Sequence, residues 1–454
     1  MLGCILSLVA FILSYYTCIL YVRTAAKDVD YTDTMRSAMG KFGYIFGMSC
    51  FIINLMVPVI LFFQLMAQAL YPCILTFIDL ATGSDSEDVS TDVDWSSFSY
   101  TWTCMIILVV EFVMTLRRDL AIYIKLNTIG VLGIIMLMIY IFITGLISIS
   151  KTDYTTSKSV YEEYLAEKAI NPNTPFMAYI TLFASQYASL MGILGGGFYL
   201  HNISLPIIAR NPNPKTNERD LFIGYFFVFF TYVSFGVIGA LGFSGENYVG
   251  RWTDGAINQN CLFMYPIAES WKAAPATIVR FCVFLHITTV NALLFACERA
   301  QILLLVTGKQ ETESYAVQIF LNACMILPAF LLAIYYPEIG KLAGILGSAA
   351  TMLVIYIVPN VTYLKMKWDA TFRKDQQTEG KYDYEIRKQE EDRECRSSQL
   401  GSDSRRTDVN RGSDESDEDD DFHTRIQGTS KTMLTVIIIF SLIVTSYGIW
   451  AFVL

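Results

Sequence analysis

The chain has 454 residues, of which 54% are hydrophobic and 17% are charged, and its formal net charge is −9. Water-soluble proteins carry a larger charged fraction, about a quarter of their residues. The composition therefore excludes an ordinary soluble protein and indicates that lipid is the solvent of this chain.

Ten apolar segments recur along the chain. A helical span needs about 20 apolar residues, whereas strands of a membrane barrel alternate polar and apolar residues over about ten positions. The segments therefore predict an all-α polytopic membrane protein with spans at residues 2–22, 44–78, 101–116, 127–149, 177–209, 221–243, 276–306, 314–336, 342–364 and 432–453.

The first span could be a secretory signal, because it is apolar and lies at the N-terminus. It has no basic residue before the apolar run, and Tyr15, Tyr16 and Cys18 stand where a cleavage site needs small residues. We interpret it as a retained helix.

The connections between spans predict an orientation. With Met1 outside the cytosol, the cytosolic connections carry 26 Lys and Arg and the opposite side carries six. The ratio is still 12 to six without the long segment after residue 365. Because cytosolic loops are enriched in basic residues, an external N-terminus is favoured.

Acidic residues are concentrated in a loop at residues 81–100 and in a second segment near the C-terminus. The second segment has almost no apolar residues and cannot bury a core. We therefore divide the chain into a transmembrane core (1–365), a disordered charged cytosolic linker (366–431) and a C-terminal helix (432–454). The linker is either a plain tether or a docking segment for a cytosolic regulatory partner, with Ser413 and Ser416 as phosphorylation candidates.

Most of the ten cysteines fall inside spans, where they act as small apolar residues. Cys73 and Cys261 are expected outside, and either a disulfide bridge or two free thiols fits the sequence. No spacing of Cys and His suggests a metal site.

The span at 177–209 is too long for one continuous crossing and contains Gly195, Gly196 and Gly197 in a row. Glycine disfavours helix by up to about 1 kcal/mol relative to Ala, so the backbone can unwind there. Unwound backbone at the membrane midplane is typical of substrate sites in secondary transporters. Close helix packing through small residues is the alternative.

Several polar side chains lie within the predicted spans. His201 follows the glycines, and it either binds substrate or protons or is a neutral imidazole bonded to a freed carbonyl. Glu111, His286 and Glu298 raise the same question. Thr288 and Thr289 either ligate Na⁺ through their hydroxyl oxygens or bond their own helix.

These segments resemble a known family in their order along the chain. Residues 197–207 (GFYLHNISLPI) and 220–225 (DLFIGY) are similar to the sixth and seventh helices of the amino acid/auxin permease superfamily. Its branch of sodium-coupled neutral amino acid transporters, solute carrier family 38 with its lysosomal arginine-sensing member, is the most similar. Further similar segments are 125–130, 286–290, 295–299, 336–340 and 344–359.

The resemblance implies a LeuT-like fold of five-plus-five inverted-repeat helices. It places the substrate at Gly195, Gly196, Gly197, Phe198, His201 and Asn202 and the coupling ion at Thr288 and Thr289. Asn291 and Cys297 depart from the family, in which many members have proline there. Met1 aligns with the second helix, so we expect either a truncated sequence or a chain that has lost transport.

The predicted function is therefore secondary active transport of a zwitterionic or cationic amino acid by alternating access, with Na⁺ or H⁺ coupling both open. A non-transporting amino acid sensor or membrane scaffold is the alternative. We expect no enzymatic activity, because the few ionisable residues form no catalytic pair. We also expect no cofactor other than the coupling ion and no nucleic-acid partner. A lysosomal or vacuolar membrane is favoured over the plasma membrane.

Overall fold

A computed structural model of the chain is helical throughout the part that it describes. That part comprises residues 2–25, 31–83, 90–117, 121–153, 162–163, 187–208, 211, 213–244, 248, 257–258, 260–267, 270–309, 314–348 and 353–369. The predicted linker from residue 370 onward and the predicted C-terminal helix lie outside it, as does the first third of the predicted span at 177–209.

Ten helices have the following bounds: α1 Leu2–Ala25, α2 Tyr31–Thr82, α3 Tyr100–Thr115, α4 Ala121–Lys151, α5 Tyr187–Gly197, α6 His201–Ile208, α7 Asn217–Gly242, α8 Ala274–Thr307, α9 Tyr315–Tyr335 and α10 Ile339–Leu346. Short 3-10 turns occupy Pro214–Thr216, Cys261–Met264 and Ser270–Ala273. A π-helical segment, Leu353–Ile357, leads into a last helix, α11, at 358–369.

Six of the described helices are long and apolar enough to cross a membrane: α1, α2, α4, α7, α8 and α9. At 16 residues α3 is shorter. The multi-pass helical class is thus as predicted. The count of ten spans and the LeuT-like arrangement of the helices stay predictions. One predicted span differs in form, because residues 342–364 comprise α10, a π-helical segment and the start of α11.

The longest helix, α2, has 52 residues and is bent at Gly40. The backbone there has φ 68° and ψ −156°, a conformation open to glycine and strained for residues with a side chain. The turns from Tyr31 to Gly40 therefore run in a different direction from the rest of α2, which contains the span predicted at 44–78.

The largest core lies between α2, α3, α8 and α9 and includes Phe63, Cys104, Phe284 and Met325. The antiparallel pair α2 and α8 is joined by the Thr277 hydroxyl, which donates to Thr76 at 3.3 Å. A second core combines α1, α5 and α7 around Phe198. A third core lies around Tyr21 and Tyr31, between α1 and the start of α2. The described residues thus form three buried regions in which a site could lie.

The loop before α8 is held by Arg280, whose side chain is fully buried. Its guanidinium donates to the carbonyls of Leu262, Tyr265 and Pro266 at 2.6–3.0 Å. The same loop contains Cys261, and burial raises the pKa of this thiol to about 11. Cys261 and Cys73 are both free, and Cys73 is buried within α2, so the bridge offered as one sequence interpretation is not formed.

Candidate functional site

The predicted interruption of the helix is present, three residues later than the glycines suggest. Gly195, Gly196 and Gly197 form the last turn of α5, and the chain leaves the helix at Phe198–Leu200. The amide of Tyr199 donates to the Gly196 carbonyl at 3.2 Å, a tighter turn than the α-helical one. Helix α6 then begins at His201.

Gly197 provides room for a neighbouring helix. The Tyr232 hydroxyl of α7 donates to the Gly197 carbonyl at 3.0 Å. A Cβ atom at Gly197 would lie 2.5 Å from that hydroxyl oxygen, closer than real contacts allow. The last glycine is therefore required for the approach of Tyr232 as much as for the end of the helix.

Close helix packing through a glycine, the alternative interpretation of the glycine-rich segment, is found at Gly192, which sequence analysis did not single out. In α5, Gly192 packs directly on the backbone of α10, where a Cβ atom would overlap the Gly344 carbonyl. In return, a Cβ atom at Gly347 would overlap the Gly192 carbonyl. The interrupted helix and α10 thus touch backbone to backbone.

His201, the first residue of α6, is 0% exposed. Its Nε2 lies 3.1 Å from the Thr17 hydroxyl oxygen in α1. The Thr17 hydroxyl also lies 3.1 Å from the Ser14 carbonyl, and when it donates there its oxygen accepts from Nε2 in the tautomer that carries the ring proton on that nitrogen. The partner is therefore a hydroxyl and not the freed carbonyl that one sequence interpretation assumed.

The second ring nitrogen of His201, Nδ1, is buried and makes no hydrogen bond within the described chain. Aromatic rings enclose the imidazole: Tyr21 approaches edge-on at 5.7 Å between centroids, and Tyr199 stacks at 6.2 Å. With the proton on Nε2, Nδ1 presents a lone pair that can accept from a ligand N–H group.

Around His201 lies a set of buried polar side chains that we call the break cluster: Ser14, Thr17, Cys18, His201, Ser204, Tyr225 and Tyr356. Ser14 and Tyr356 are joined by a hydrogen bond of 3.1 Å between hydroxyls. The Cys18 thiol is within hydrogen-bonding reach of Tyr225 and Ser204. The cluster thus connects α1, α6, α7 and the π-helical segment.

Sequence analysis missed the α1 members of the break cluster. Ser14, Thr17 and Cys18 have the spacing i, i+3, i+4, which places them on one face of a helix. This polar face in an apolar span was the available signal.

The other predicted substrate residues are placed as follows. Phe198 is 0% exposed and packs on Tyr225 and Tyr232 at centroid distances of 6.3 and 5.5 Å. Asn202 lies in α6, and its side chain is outside the described part of the structure.

The predicted ion ligands bond their own helix. The Thr288 hydroxyl donates to the Phe284 carbonyl at 2.7 Å, and the Thr289 hydroxyl donates to the His286 carbonyl at 2.8 Å. Thr288 also contacts Met66 Sδ at 3.3 Å, in the largest core. Within the described chain, no hydrogen bond or ring contact joins these threonines to the break cluster.

Comparison with known proteins gives a family and three relatives that agree with one another. A family model described as transmembrane amino acid transporter protein matches residues 1–378. The chain is similar to the sodium-coupled neutral amino acid transporter 9 homolog of Caenorhabditis elegans, with 24% identity over 62% of this chain and 42% of the relative. It is also similar to neutral amino acid transporter 9 of Rattus norvegicus and of Xenopus laevis, each at 27% identity.

The alignments to the rat and Xenopus laevis relatives cover 42% and 41% of this chain and 32% of each relative. The chain thus spans 32–42% of the length of these curated relatives.

Proposed function

The chain belongs to the family of transmembrane amino acid transporter proteins, and we propose that it moves an amino acid across a membrane by way of the break cluster. Membership confirms the resemblance predicted from the sequence. It also confirms that the chain is a transporter-family protein and not an enzyme. Activity, substrate and coupling are part of the proposal.

The observation that carries the proposal is the interruption between α5 and α6 with His201 at its edge. The first turn of a helix has unsatisfied N–H groups and a positive dipole end, which favour a carboxylate. The lone pair of His201 Nδ1 faces the same buried region and suits the ammonium group of an amino acid. A zwitterion would satisfy both.

The chemistry of the break cluster favours a zwitterionic substrate over a cationic one. Its seven side chains are hydroxyls, a thiol and an imidazole, with no carboxylate to neutralise a basic side chain. The names of the relatives, which refer to neutral amino acids, point the same way.

Phe198 and His201 are both fully buried, so this conformation is closed to solvent. Substrate entry then requires movement of the surrounding helices, as alternating access describes. We expect the half-helices α5 and α6 to move relative to each other, because α5 packs on α10 whereas α6 is bonded to α1.

Coupling and location complete the proposal. We retain Thr288 and Thr289 as Na⁺ ligands, because an oxygen that donates its proton to a carbonyl still has lone pairs for a cation. A lysosomal or vacuolar membrane and a regulatory partner at residues 366–431 rest on the resemblance and on the charge of that segment.

The test is uptake of radiolabelled neutral amino acids into liposomes that contain the purified full chain. We expect saturable uptake above that of empty liposomes and a loss of at least about tenfold in His201→Ala. Ser150→Ala at the far end of α4 is the control and should keep wild-type uptake. No saturable uptake and no saturable binding by the wild type would refute the proposal, whereas binding without uptake would support an amino acid sensor.

A further inference from the structure

A buried carboxyl group lies outside the break cluster and has no role in the proposed site. Glu111 is in the last turns of α3 and is 0% exposed. Neither of its carboxyl oxygens makes a hydrogen bond within the described chain. An ionised carboxylate without a cation is costly at membrane depth, so such groups usually have a function.

The polar group that faces Glu111 is the side chain of Asn291 in α8. Asn291 is also 0% exposed, and both its amide oxygen and its amide nitrogen are without hydrogen bonds. A carboxyl and an amide thus face each other in an apolar interior, with four polar atoms unsatisfied. A buried polar atom without a partner costs about 1–3 kcal/mol, so this arrangement needs an explanation.

The nearest charged groups are on α8. The Arg299 guanidinium donates to the Thr115 carbonyl at 2.9 Å and to the Asn322 side-chain oxygen at 3.0 Å. Those bonds direct it to the C-terminal end of α3, beyond Glu111. The other acid is Glu298, which is 1% exposed and has one carboxyl oxygen without a hydrogen bond.

The remaining neighbours of α3 contribute amides. In α9, Gln318 and Asn322 donate to the Thr115 carbonyl at 3.3 and 3.0 Å. In α2, Asn54 is buried with both amide atoms unpartnered. Within α3 itself, the titratable groups Cys104 and Tyr100 lie about two and three turns toward the N-terminus. None of these groups carries a positive charge.

We propose that Glu111 and Asn291 form a proton-binding site, in which the Glu111 carboxyl holds a proton in the closed conformation and releases it to water when the helices separate. The inference rests on the proposed transport function. A rotation of the two side chains, which already face each other, would let the carboxyl O–H donate to the Asn291 oxygen and the Asn291 N–H₂ group donate to the second carboxyl oxygen, so that the bound proton satisfies four atoms that are unpaired in this structure. On opening, the O–H bond breaks, the proton goes to water and the carboxylate is hydrated.

A proton fits this pair better than a metal cation does. Hard cations such as Ca²⁺ take about six to eight oxygen ligands, and Glu111 with Asn291 offers three oxygens. A proton needs one oxygen and one acceptor, which the pair provides. Thr288 and Thr289 precede Asn291 by three and two residues in α8, and their hydroxyls donate to carbonyls of that helix and not to the pair.

The first experiment reads the proton itself and is independent of transport. Infrared spectra of the purified full chain in lipid nanodiscs at neutral pH are recorded for the wild type and for each variant. The difference between the wild type and Glu111→Gln should contain the C=O stretch of a protonated carboxyl, and that band should shift in Asn291→Ala. Glu298→Gln, which removes the other buried carboxyl of this region, is the matched control and should keep the band that Glu111→Gln removes. The absence of such a band from the difference between the wild type and Glu111→Gln, or loss of the same band in Glu298→Gln, would overturn the assignment.

The second experiment uses proteoliposomes with an imposed pH gradient. Acid on the entry side should stimulate amino acid uptake several-fold in the wild type and in Glu298→Gln, and should not stimulate whatever uptake remains in Glu111→Gln. Full stimulation in Glu111→Gln would refute the site. Stimulation by Na⁺ alone that Glu111→Gln abolishes would make it a sodium site instead and would also refute the proposal.

If the wild type takes up no amino acid at all, the transport proposal fails, and the infrared band still decides whether Glu111 binds a proton.

Discussion

Two buried polar regions of this protein differ in the hydrogen bonds that their side chains make. In the break cluster, side chains bond across elements that are far apart in the sequence, as Thr17 does with His201 and Ser14 with Tyr356. Along α8, Thr288 and Thr289 bond their own helix, and the Asn291 amide, which faces Glu111, makes no hydrogen bond within the described residues. This difference is why we propose a substrate site in the first region and an ion site in the second.

The largest expected effect is at the contact between the backbones of α5 and α10. Gly192→Ala should lower the free energy of unfolding by about 1–3 kcal/mol, because the new methyl group meets a carbonyl that cannot move aside. Thermal unfolding in nanodiscs measures the effect. Gly236→Ala, which meets nothing within 4 Å, is the matched control and should be neutral or slightly stabilising. Equal stability of the two variants would mean that α5 and α10 do not pack as described.

The next test contrasts a threonine that bonds across helices with one that bonds its own helix. Thr17→Val should cost about 1–3 kcal/mol, because it leaves His201 buried with both nitrogens unpartnered. Thr288→Val removes a bond within α8 and a weak contact with Met66 Sδ, leaves no buried imidazole unpartnered, and should cost about 1 kcal/mol or less. Denaturant unfolding of both variants measures the difference, and a larger loss in Thr288→Val would reverse the comparison.

A third test asks whether the threonines of α8 hold an ion. Thr289→Val should raise the Na⁺ concentration for half-maximal uptake about tenfold, equivalent to about 1.4 kcal/mol of ion binding. Thr144→Val in α4 is the control, since its hydroxyl also bonds its own helix, at 2.6 Å. The same Na⁺ dependence in both variants would leave Thr289 a purely local hydrogen-bond donor.

The smallest expected effect concerns Asp94, a carboxylate in the loop before α3 that, unlike Glu111, lies outside the buried core. Asp94 accepts hydrogen bonds from the Ser96 amide at 2.8 Å and from the hydroxyls of Ser96 and Ser97, which lowers the pKa of Asp94 from 3.8 to about 2. A lowered pKa in the folded state means that the turn is stabilised fully above pH 3.8 and loses this contribution as the pH falls toward 2.

Hydrogen exchange of the Ser96 amide, followed by mass spectrometry, should therefore accelerate below about pH 4 in the wild type beyond the intrinsic pH dependence of exchange. Asp94→Asn should not show the additional change. An identical profile in both proteins would contradict the role of the carboxylate.

The parts of the fold that the sequence predicted are those governed by local hydrophobic composition. The spans at 101–116, 221–243, 276–306 and 314–336 agree with α3, α7, α8 and α9 to within a few residues, because the run of apolar residues decides where each helix lies. The bend of α2 at Gly40 and the π-helical segment Leu353–Ile357 were not foreseen, because a run of apolar residues does not show where the backbone within it leaves regular α-helix.

The interruption of the helix was predictable in its location, whereas the contacts around it were not. Three successive glycines indicated a break, and the break follows them directly. The residues that complete the cluster, such as Ser14 and Tyr356, are 342 positions apart, and no pattern in a single sequence shows that they meet. The partner of Glu111 was unpredictable for the same reason.

The most direct test of amino acid binding at the break cluster uses Cys18, which is 0% exposed and lies beside Tyr225 and Ser204. The rate at which a maleimide labels Cys18 in the purified full chain is measured by mass spectrometry with and without a transported amino acid, and exposed Cys324 in α9 is the internal control. We predict that the amino acid changes the rate at Cys18 at least several-fold and leaves Cys324 unchanged. An unchanged rate at Cys18, in a preparation that takes up the amino acid, would contradict a substrate site at the break cluster.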